Sequence, residues 1–545
     1  MVQGKNLSKP NTLWIICLLL LLLLGGFFFF RCAYGGATTP SSIGGEGGGP
    51  IAVDISGKVT DYTGAPVVGT MVKLLLAPGP GPAKTMAQEG QVYQDTTDQN
   101  GGYEFSGLPA GLYRMQVDAP GQLPWGTDLD LRGGGAVVQE ARLWPPAGQV
   151  AVFQSKATDL IPGDTGDEYA DIYLAHAGGG IEKISNTPEG QNGGSSTSPV
   201  MSDSNRFIVF DSKAQLVPED RNDFADVYRF DRETGTLTCL TTAPGFPKKH
   251  SGVSSTNPLT SGDGRFTVFS WGEDQDKRVF LHDARTGEFT QVPVGLTEDG
   301  APNGYCDYPS ISAFGRYIAF ESGATNLVPD QVPDGRLFYN VFVYDRLTGT
   351  TFLASPAVDS KKPDDSSGTP SISADGRLVA FYSWATNLLA DPAPRGMVYV
   401  RDLVAKTTTM VSVDNEGNPA ADACHRPVIS GNGRYVAFST EASLVPEDTN
   451  GKWDVYVRDL QEGTTTLVSQ NAAGTNSGNN YSSDPVLSFD GTHALFETRA
   501  TDLVAGGTPS THIQVYVRDL LNGLNVLVSR TLANTPGNGD SNTRN

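Results

Sequence analysis

One five-residue pattern recurs along the C-terminal two thirds of the chain and most strongly limits its fold. Each copy has proline in second place and serine in fifth place, and successive prolines are 51 to 61 residues apart. The six clear prolines are Pro199, Pro258, Pro309, Pro370, Pro427 and Pro485. A repeat of this length is typical of stacked copies of one supersecondary unit, because a single copy cannot bury its own apolar face.

Each repeat contains four short segments with the pattern of β-strands. In the copy that begins at Pro427, residues 427–430 precede a Gly-Asn-Gly turn, and Arg434–Phe438 is rich in β-branched and aromatic residues. Asp454–Asp459 then alternates apolar and polar residues, and residues 464–469 supply a fourth strand. Four antiparallel strands per repeat indicate the blade of a β-propeller.

The second and third strands each occur seven times, which predicts seven blades. The first blade lacks the proline, and we expect Arg142–Gly148 to supply its inner strand because the spacing matches Pro427–Gly433. The tail from Gly537 begins like a further repeat. We expect it to lie against blade 1 and to help close the ring.

These repeats resemble those of TolB-type propellers, which are relatives of WD-repeat propellers. The resemblance rests on segments such as Ser373–Phe381 followed by Met397–Asp402, and it covers roughly residues 142–530. It implies a rigid disc used for binding, commonly in the bacterial envelope.

A distinct unit precedes the repeats. Residues 55–61 and 67–74 have the pattern of two strands about a turn, and Asp98–Phe105 and Leu108–Tyr113 fit the motifs Asp-x-Asn-Gly-x-Tyr-x-Phe and Leu-Pro-Ala-Gly-x-Tyr. This unit resembles the carboxypeptidase-regulatory-like, transthyretin-type β-sandwich. The resemblance implies a stalk or accessory module without catalytic residues of its own.

The N-terminus carries an uncharged apolar segment, Leu13–Phe30, preceded by Lys5 and Lys9. Its 18 residues lie between the core of a secretory signal and a membrane-spanning helix, so both a retained anchor and a cleaved signal stay open. Either one exports the rest of the chain. We expect a protein that is anchored in the membrane and faces the periplasm or the cell exterior, or a secreted one if the signal is cleaved.

Together these patterns predict an all-β protein: a seven-bladed β-propeller preceded by a small β-sandwich and an apolar export or anchor segment. The predicted divisions are 1–34 for the export segment, 35–50 for a Gly-rich linker, 51–145 for the sandwich, 146–530 for the propeller and 531–545 for the tail. With 39 Lys and Arg against 60 Asp and Glu, the chain has a net charge of −21. Such an acidic chain repels phosphate backbones, and we expect no nucleic-acid partner.

Acidic residues recur in the long loops between the second and third strands. Carboxylate and amide oxygens are ligands that calcium prefers, so these loops form a candidate calcium site. Ordinary turn chemistry is the alternative, since Asn-Gly and Asp favour turns without a metal. The candidate ligands are Asp164, Asp171, Asp220, Asp226, Asp448, Asn450 and Asp454.

Linear signatures of enzymes are missing: the sequence has no Gly-x-Ser-x-Gly, no His-Glu-x-x-His and no Cys-x-x-Cys. The tight turns and the long loops fall on opposite faces of the predicted disc, and binding residues collect on long loops. We therefore expect a non-catalytic envelope protein that binds a protein, peptide or glycan on the long-loop face, with no cofactor beyond the calcium candidate. A hydrolase or lyase with its site in the central channel, and a calcium-stabilised surface adhesin, remain alternatives.

Overall fold

The computed structural model describes residues 52–543, apart from 62–65, 77–91, 110–111, 119–124, 132–134, 139–140, 144–149, 165–168, 177–178, 189–192, 247–253, 274–275, 294, 297–299, 330–337 and 359–361. These residues form β-strands and contain no α-helix. In this part of the chain no helix is long and apolar enough to cross a membrane. The predicted apolar segment, residues 13–30, and the linker, residues 35–50, lie outside the described residues.

Eight strands near the N-terminus form two facing sheets. They are β1 (Ala52–Asp61), β2 (Met71–Leu76), β3 (Val92–Thr96), β4 (Gly102–Pro109), β5 (Leu112–Asp118), β6 (Trp125–Asp130), β7 (Gly135–Val138) and β8 (Ala141–Leu143). One sheet has the order β4-β1-β7, with β8 also paired to β1, and the other has the order β3-β2-β5-β6. Apolar side chains of both sheets, such as Ile55, Phe105, Leu74 and Met115, form one shared core.

The predicted sandwich strands are present, but the first two do not form a hairpin. β1 and β2 lie in different sheets, so the chain crosses from one layer to the other between them. The Asp-x-Asn-Gly motif makes the expected turn before β4. Asp98 accepts hydrogen bonds from the backbone of Asn100 and Gly102 through Oδ1, and Gly101 has φ +74°.

The rest of the described chain forms seven four-stranded antiparallel sheets. Blades 2 to 4 consist of β12 (Ser196–Met201), β13 (Phe207–Ser212), β14 (Asp226–Asp231) and β15 (Thr236–Cys239); β16 (Ser255–Thr260), β17 (Phe266–Trp271), β18 (Arg278–Asp283) and β19 (Glu288–Val292); and β20 (Cys306–Ile311), β21 (Tyr317–Ser322), β22 (Asn340–Asp345) and β23 (Thr350–Leu353). Blades 5 to 7 consist of β24 (Ser367–Ile372), β25 (Leu378–Ser383), β26 (Met397–Asp402) and β27 (Thr407–Met410); β28 (Cys424–Ile429), β29 (Tyr435–Thr440), β30 (Asp454–Asp459) and β31 (Thr464–Leu467); and β32 (Ser482–Leu487), β33 (His493–Thr498), β34 (Gln514–Asp519) and β35 (Leu524–Leu527).

Blade 1 takes its strands from both ends of the repeat region. It consists of β9 (Val150–Ser155), β10 (Asp171–His176), β11 (Ile181–Lys183) and the C-terminal β36 (Ser541–Asn542). β36 pairs with β9 and also contacts β33 and β34 of blade 7, while the inner strands of successive blades contact one another. The sheets therefore follow one another around a closed ring, which is the β-propeller that the repeats predicted.

The expected inner strand of blade 1 at Arg142–Gly148 is wrong where the structure describes it. Arg142 and Leu143 belong to β8 and pair with Thr60 and Asp61 of β1 in the sandwich. Residues 144–148 lie outside the described residues. The inner position is taken instead by Ser541, whose hydroxyl lies 2.7 Å from that of Ser155. The same contact joins Ser196 to Ser212 in blade 2, so the tail reproduces the repeat.

Two interactions recur in the blades and explain why these residues form them. In all seven, an aromatic ring of the second strand stacks or tilts on one of the third strand, with centroids 5.6 to 6.3 Å apart, as for Phe438 and Tyr456. In five blades an arginine before the second strand forms an ion pair with the last aspartate of the third strand, as for Arg434 and Asp459. The ring pairs fill the blade interior, and the ion pairs join the strand ends.

The buried position of Ser541 gives a test of ring closure. Replacing Ser541, which is fully buried, with aspartate places an unpaired charge between β36 and β9. We expect Ser541→Asp to lower the free energy of unfolding by about 3–5 kcal/mol in chemical denaturation. Leu532→Asp is the control, because Leu532 is 62% exposed in the same C-terminal segment and its replacement should change stability by less than about 0.5 kcal/mol. Equal stability of the two variants would contradict closure by β36.

Candidate functional site: the central channel

The inner strands share an unusual backbone conformation immediately before each anchor proline. The six residues at this position have φ between +42° and +54°, although none of them is glycine. They are Ser198, Asn257, Tyr308, Thr369, Arg426 and Asp484. Such values are uncommon for side chains with a Cβ, and for the β-branched Thr369 they are an outlier. Strained conformations of this kind persist only where the surrounding structure enforces them, and they cluster at functional sites.

A β-bulge accompanies the left-handed residue in each of these six strands. In β28, for example, the pairing with β29 shifts between His425 and Val428, so that Arg426 and Pro427 fall within the irregular step. The proline has no N–H to contribute to the ladder, and a bulge is one of the few places where a strand tolerates it. As a result, the residue before the proline faces the centre of the ring. We call the six residues, together with Thr543 at the equivalent position of blade 1, the channel ring.

The channel ring is held in place from blade to blade. Gln154 of blade 1 accepts a hydrogen bond from the backbone N–H of Ser198 in blade 2, at 2.9 Å. Glu321 of blade 4 accepts one from Thr369 of blade 5, at 3.2 Å. Gly368 makes this second contact possible, because a Cβ at that position would overlap the Glu321 carboxylate. These bonds satisfy donors that the bulge removes from the ladder.

All seven members of the channel ring line one cavity of about 1190 Å³. Aromatic side chains of neighbouring blades cover one arc of its wall. Tyr308 of blade 4 is 43% exposed, and Tyr382 of blade 5, His425 of blade 6 and Trp453 of the long loop of blade 6 follow it. The His425 ring lies 6.0 Å from that of Tyr382 and 5.2 Å from that of Trp453. A concave site with aromatic walls and a few polar groups is the usual form of a ligand pocket.

Opposite charges at the channel are paired. Arg426 and Asp484 of the channel ring form an ion pair at 2.6 Å. Behind the ring, Lys277 contacts Asp307 at 2.7 Å. Burial would raise the pKa of Asp307, but the hydrogen bonds from Lys277 and Ser270 outweigh burial and lower it. Asp307 is therefore ionised at neutral pH.

Three other buried carboxyls near the ring hold their protons more tightly. Burial raises the pKa of Asp211 to about 6, that of Glu321 to about 7 and that of Glu497 to about 8. The neighbouring Asp484 carboxylate adds to the effect at Glu497, whose Oε2 accepts a hydrogen bond from Asn542 at 2.7 Å. The pKa of His425 is lowered, first by burial and then by the charge of Arg426. The His425 ring is therefore neutral at pH 7.

The predicted calcium ligands lie in the loops between the second and third strands or at the first residue of the third strand, and none of them lines the cavity. The first aspartate of each loop accepts a hydrogen bond from the buried tyrosine of the third strand: Asp164 from Tyr173, Asp220 from Tyr228 and Asp448 from Tyr456. The second aspartate accepts one from a hydroxyl at the end of the fourth strand: Asp171 from Ser185, Asp226 from Thr241 and Asp454 from Ser469. Each carboxylate therefore fixes its loop to the blade.

A side-chain nitrogen contacts at least one of the two aspartates in each of these three blades. Asn222 Nδ2 is 3.1 Å from Asp220 Oδ1 and 2.7 Å from Asp226 Oδ2. In blade 1, Lys183 Nζ contacts both Asp164 and Asp171. In blade 6, Asn450 donates to Asp454 Oδ2 at 2.7 Å and to the carbonyl of Gly478 at 2.8 Å. Within the described residues no three His, Cys, Asp or Glu side chains are grouped as a metal site. The calcium site stays a prediction.

The anchor patterns that reveal the repeats also contain the residues of the channel ring. In each pattern the proline stays the same while the residue before it changes from blade to blade. This contrast is the sequence signal that could have identified the channel ring. A position with a fixed backbone and varied side chains can present a different functional group in each blade.

Comparison with known proteins gives a family for the N-terminal unit alone. The model of the carboxypeptidase regulatory-like domain matches residues 54–143, which agrees with the two-layered sandwich. The sequence has no significant match among curated proteins.

Solved structures of several propeller proteins are similar to this chain. TolB from Acinetobacter baumannii is 14% identical, with 65% of this chain and 75% of that chain covered and a TM-score of 0.34. Oligogalacturonate lyase from Vibrio parahaemolyticus is 13% identical, with 70% and 85% covered and a TM-score of 0.41. Dipeptidyl peptidase 4 from Porphyromonas gingivalis is 13% identical, with 67% and 57% covered and a TM-score of 0.35. The fold of this chain therefore rests on its own strand order, and its function on its own site.

The raised pKa of Glu497 leads to a prediction for stability against pH. An unfolded chain releases this proton near pH 4.5, whereas the folded protein keeps it up to about pH 8. The folded state then binds more protons between these values, so the free energy of unfolding falls as pH rises through the window. We expect Glu497→Gln to flatten this decline, as measured by melting temperatures from pH 5 to pH 9. Glu182→Gln, at an exposed position of β11, should keep the wild-type slope. An unchanged slope in Glu497→Gln would contradict the assignment.

The calcium hypothesis has its own test. Because Tyr456 and Ser469 already donate hydrogen bonds to Asp448 and Asp454 in the blade 6 loop, we expect millimolar calcium, roughly the affinity of extracellular sites, to leave the melting temperature unchanged. A rise in the wild type that disappears in the double variant Asp448→Asn, Asp454→Asn would instead establish a calcium site in the blade 6 loop.

Proposed function

We propose that this chain is a non-catalytic binding protein that holds a polar ligand, a peptide or a glycan, in the channel at the end framed by the long loops. The channel ring carries this proposal. Six members of the ring share one backbone conformation, and together with Thr543 they line a single cavity: Ser198, Asn257, Tyr308, Thr369, Arg426 and Asp484. Such a wall offers hydroxyl, amide, aromatic and charged groups at one depth, which suits recognition of an extended polar molecule.

The state of the reactive groups supports binding over catalysis. Glu321 already accepts the backbone N–H of Thr369, and Asp484 already pairs with Arg426. The thiols of Cys306 and Cys424 are fully buried, and burial raises the pKa of both to about 11. A thiol in this state is protonated at neutral pH and is a poor nucleophile.

One observation favours the second candidate function, a hydrolase or lyase with its site in the channel. Glu497 and Asp484 are neighbouring carboxyls, and burial raises the pKa of Glu497 to about 8; perturbed acids of this kind occur in active sites. A channel enzyme would lose turnover in Glu497→Gln while keeping its ligand affinity.

The place of action is also part of the proposal. The apolar segment Leu13–Phe30 and the Gly-rich residues 35–50 support export, with the sandwich and the propeller on the far side of the membrane. Sequencing the N-terminus of the exported protein separates the two forms. An intact segment 13–30 in the membrane fraction means an anchored protein, and a start near Thr38 means a secreted one.

A matched pair of tyrosines tests the binding site. Tyr308 lines the cavity and is 43% exposed, whereas Tyr169, in the long loop of blade 1, is 44% exposed and is not part of the cavity wall. The probes are arrays of peptides and oligosaccharides, tested on the full-length protein. We expect Tyr308→Ala to lower the affinity for the ligands that are found by about tenfold, since buried aromatic contacts dominate binding energy. Tyr169→Ala should bind like the wild type. Equal ligand binding by both variants would show that the binding site is not in the channel.

A further inference from the structure

The channel wall changes character at the junction of blades 6 and 7. On the second strand of each blade, one residue lies beside the channel ring of the next blade. This position holds Gln154, Asp211 and Glu321 in blades 1, 2 and 4, and these long side chains are engaged in hydrogen bonds. In blade 6 the equivalent residue is Ser439, which pairs with His425 across β28 and β29. A short side chain here leaves room that longer residues fill elsewhere.

The hydroxyl of Ser439 has no hydrogen-bond partner within the protein, although the residue is only 2% exposed. Ser270 of blade 3 is the useful contrast. It is equally short at the equivalent position, but its hydroxyl donates to Asp307. Buried hydroxyls are nearly always paired, so a hydroxyl without a protein partner on a cavity wall marks a place where another molecule supplies one. Ser439 lines the same cavity as the channel ring.

The groups around Ser439 define what that molecule offers. The rings of His425 and Trp453, 5.2 Å apart, present apolar faces beside the hydroxyl. Asp484, across the junction in blade 7, lines the same cavity, and its charge is balanced by Arg426. His425 is uncharged at neutral pH. A ligand at this junction therefore needs hydroxyl groups for Ser439 and Asp484 and an apolar face for the two rings, but no net charge of its own.

We propose that His425, Ser439, Trp453 and Asp484 form a subsite for one ring of a neutral sugar. This inference rests on the proposed function, since it names the ligand of the same channel. A pyranose ring combines both requirements: its C–H face packs on an aromatic ring, and its hydroxyls donate and accept hydrogen bonds at the edge. An acidic sugar would bring a second negative charge next to Asp484, and desolvated like charges disfavour binding.

Three variants of the full-length protein test the subsite. Trp453→Ala removes the stacking face, Ser439→Ala removes the hydroxyl, and Trp384→Ala is the matched control, since Trp384 is a half-exposed tryptophan in the corresponding loop of blade 5 outside the cavity wall. The probes are neutral oligosaccharides, uronate-containing oligosaccharides and a peptide library. We expect binding of neutral oligosaccharides, weakened at least about tenfold by Trp453→Ala and about threefold to tenfold by Ser439→Ala, with no change in Trp384→Ala.

The stability of the unliganded variants separates recognition from folding. Because the Ser439 hydroxyl has no protein partner, Ser439→Ala should melt at the wild-type temperature or above it. A marked loss of stability in this variant would show that the hydroxyl serves the fold and would overturn the subsite.

The remaining outcomes distinguish failure of the sugar subsite from failure of the proposed function. Neutral sugars that bind equally well to Trp453→Ala and Ser439→Ala overturn the subsite, as does binding of acidic sugars alone. Peptides that bind in place of sugars and are weakened by Tyr308→Ala overturn the sugar inference but support the proposed function. If no probe binding depends on Tyr308, Trp453 or Ser439, both proposals fail.

Discussion

The left-handed residue before each anchor proline is the constraint on which the channel depends. It interrupts the inner strand at the same step in six blades, and this interruption turns one side chain per blade toward the centre. The proline makes the interruption compatible with a sheet, because it requires no partner for a missing N–H. Since a bulge bends its strand and increases the local twist, the same device also curves the innermost strand of each blade. The channel wall and the shape of the blade thus have one cause.

Maintaining this conformation creates a need for acceptors around the channel. The bulges of blades 2 and 5 leave a backbone N–H facing the preceding blade, and the side chains of Gln154 and Glu321 accept these donors. A carboxylate in this role is buried, and burial raises its pKa. The unusual titration of these acids is therefore a consequence of how the ring is joined. For this reason we regard their raised pKa values as weaker support for catalysis than the same values would be in an otherwise unstrained cleft.

The blades were predictable from sequence because the signals are local. Alternation and the turn residues located the second strand of blade 6 at Arg434–Phe438, and the structure has it at Tyr435–Thr440. The closure of the ring is not local. Ser541 pairs with Ser155 across 386 residues, and its segment of two paired residues is too short to show a strand pattern. The spacing of Arg142 matches that of the repeats, and for this reason an inner strand of blade 1 was wrongly predicted there. Arg142 belongs instead to β8, which pairs with β1 of the sandwich.

The candidate site also has one part that the sequence indicated, the acidic loops, and one that it did not, the channel ring. Composition pointed to the acidic loops, but a list of oxygen-bearing residues does not show that Tyr456, Ser469 and Asn450 already contact them. The channel ring was not predicted because nothing in the propensity of Tyr308 or Thr369 indicates a left-handed backbone. The sequence indicates this position only through the repeat, in which the proline is constant and the residue before it changes. Once the ring is closed, these changing residues line one cavity.

The same arrangement separates stability from recognition to a useful degree. The bulge and the proline recur in six blades, and the side chain before the proline lines the cavity. Asp484 is joined both to Arg426 and to the Glu497 carboxyl, and Glu497 in turn holds Asn542 of the closing strand. At this junction the charge of the wall, the protonation of a buried acid and the closure of the ring are physically linked. The environment of Asp484 is therefore connected through two side-chain contacts to the strand that completes blade 1.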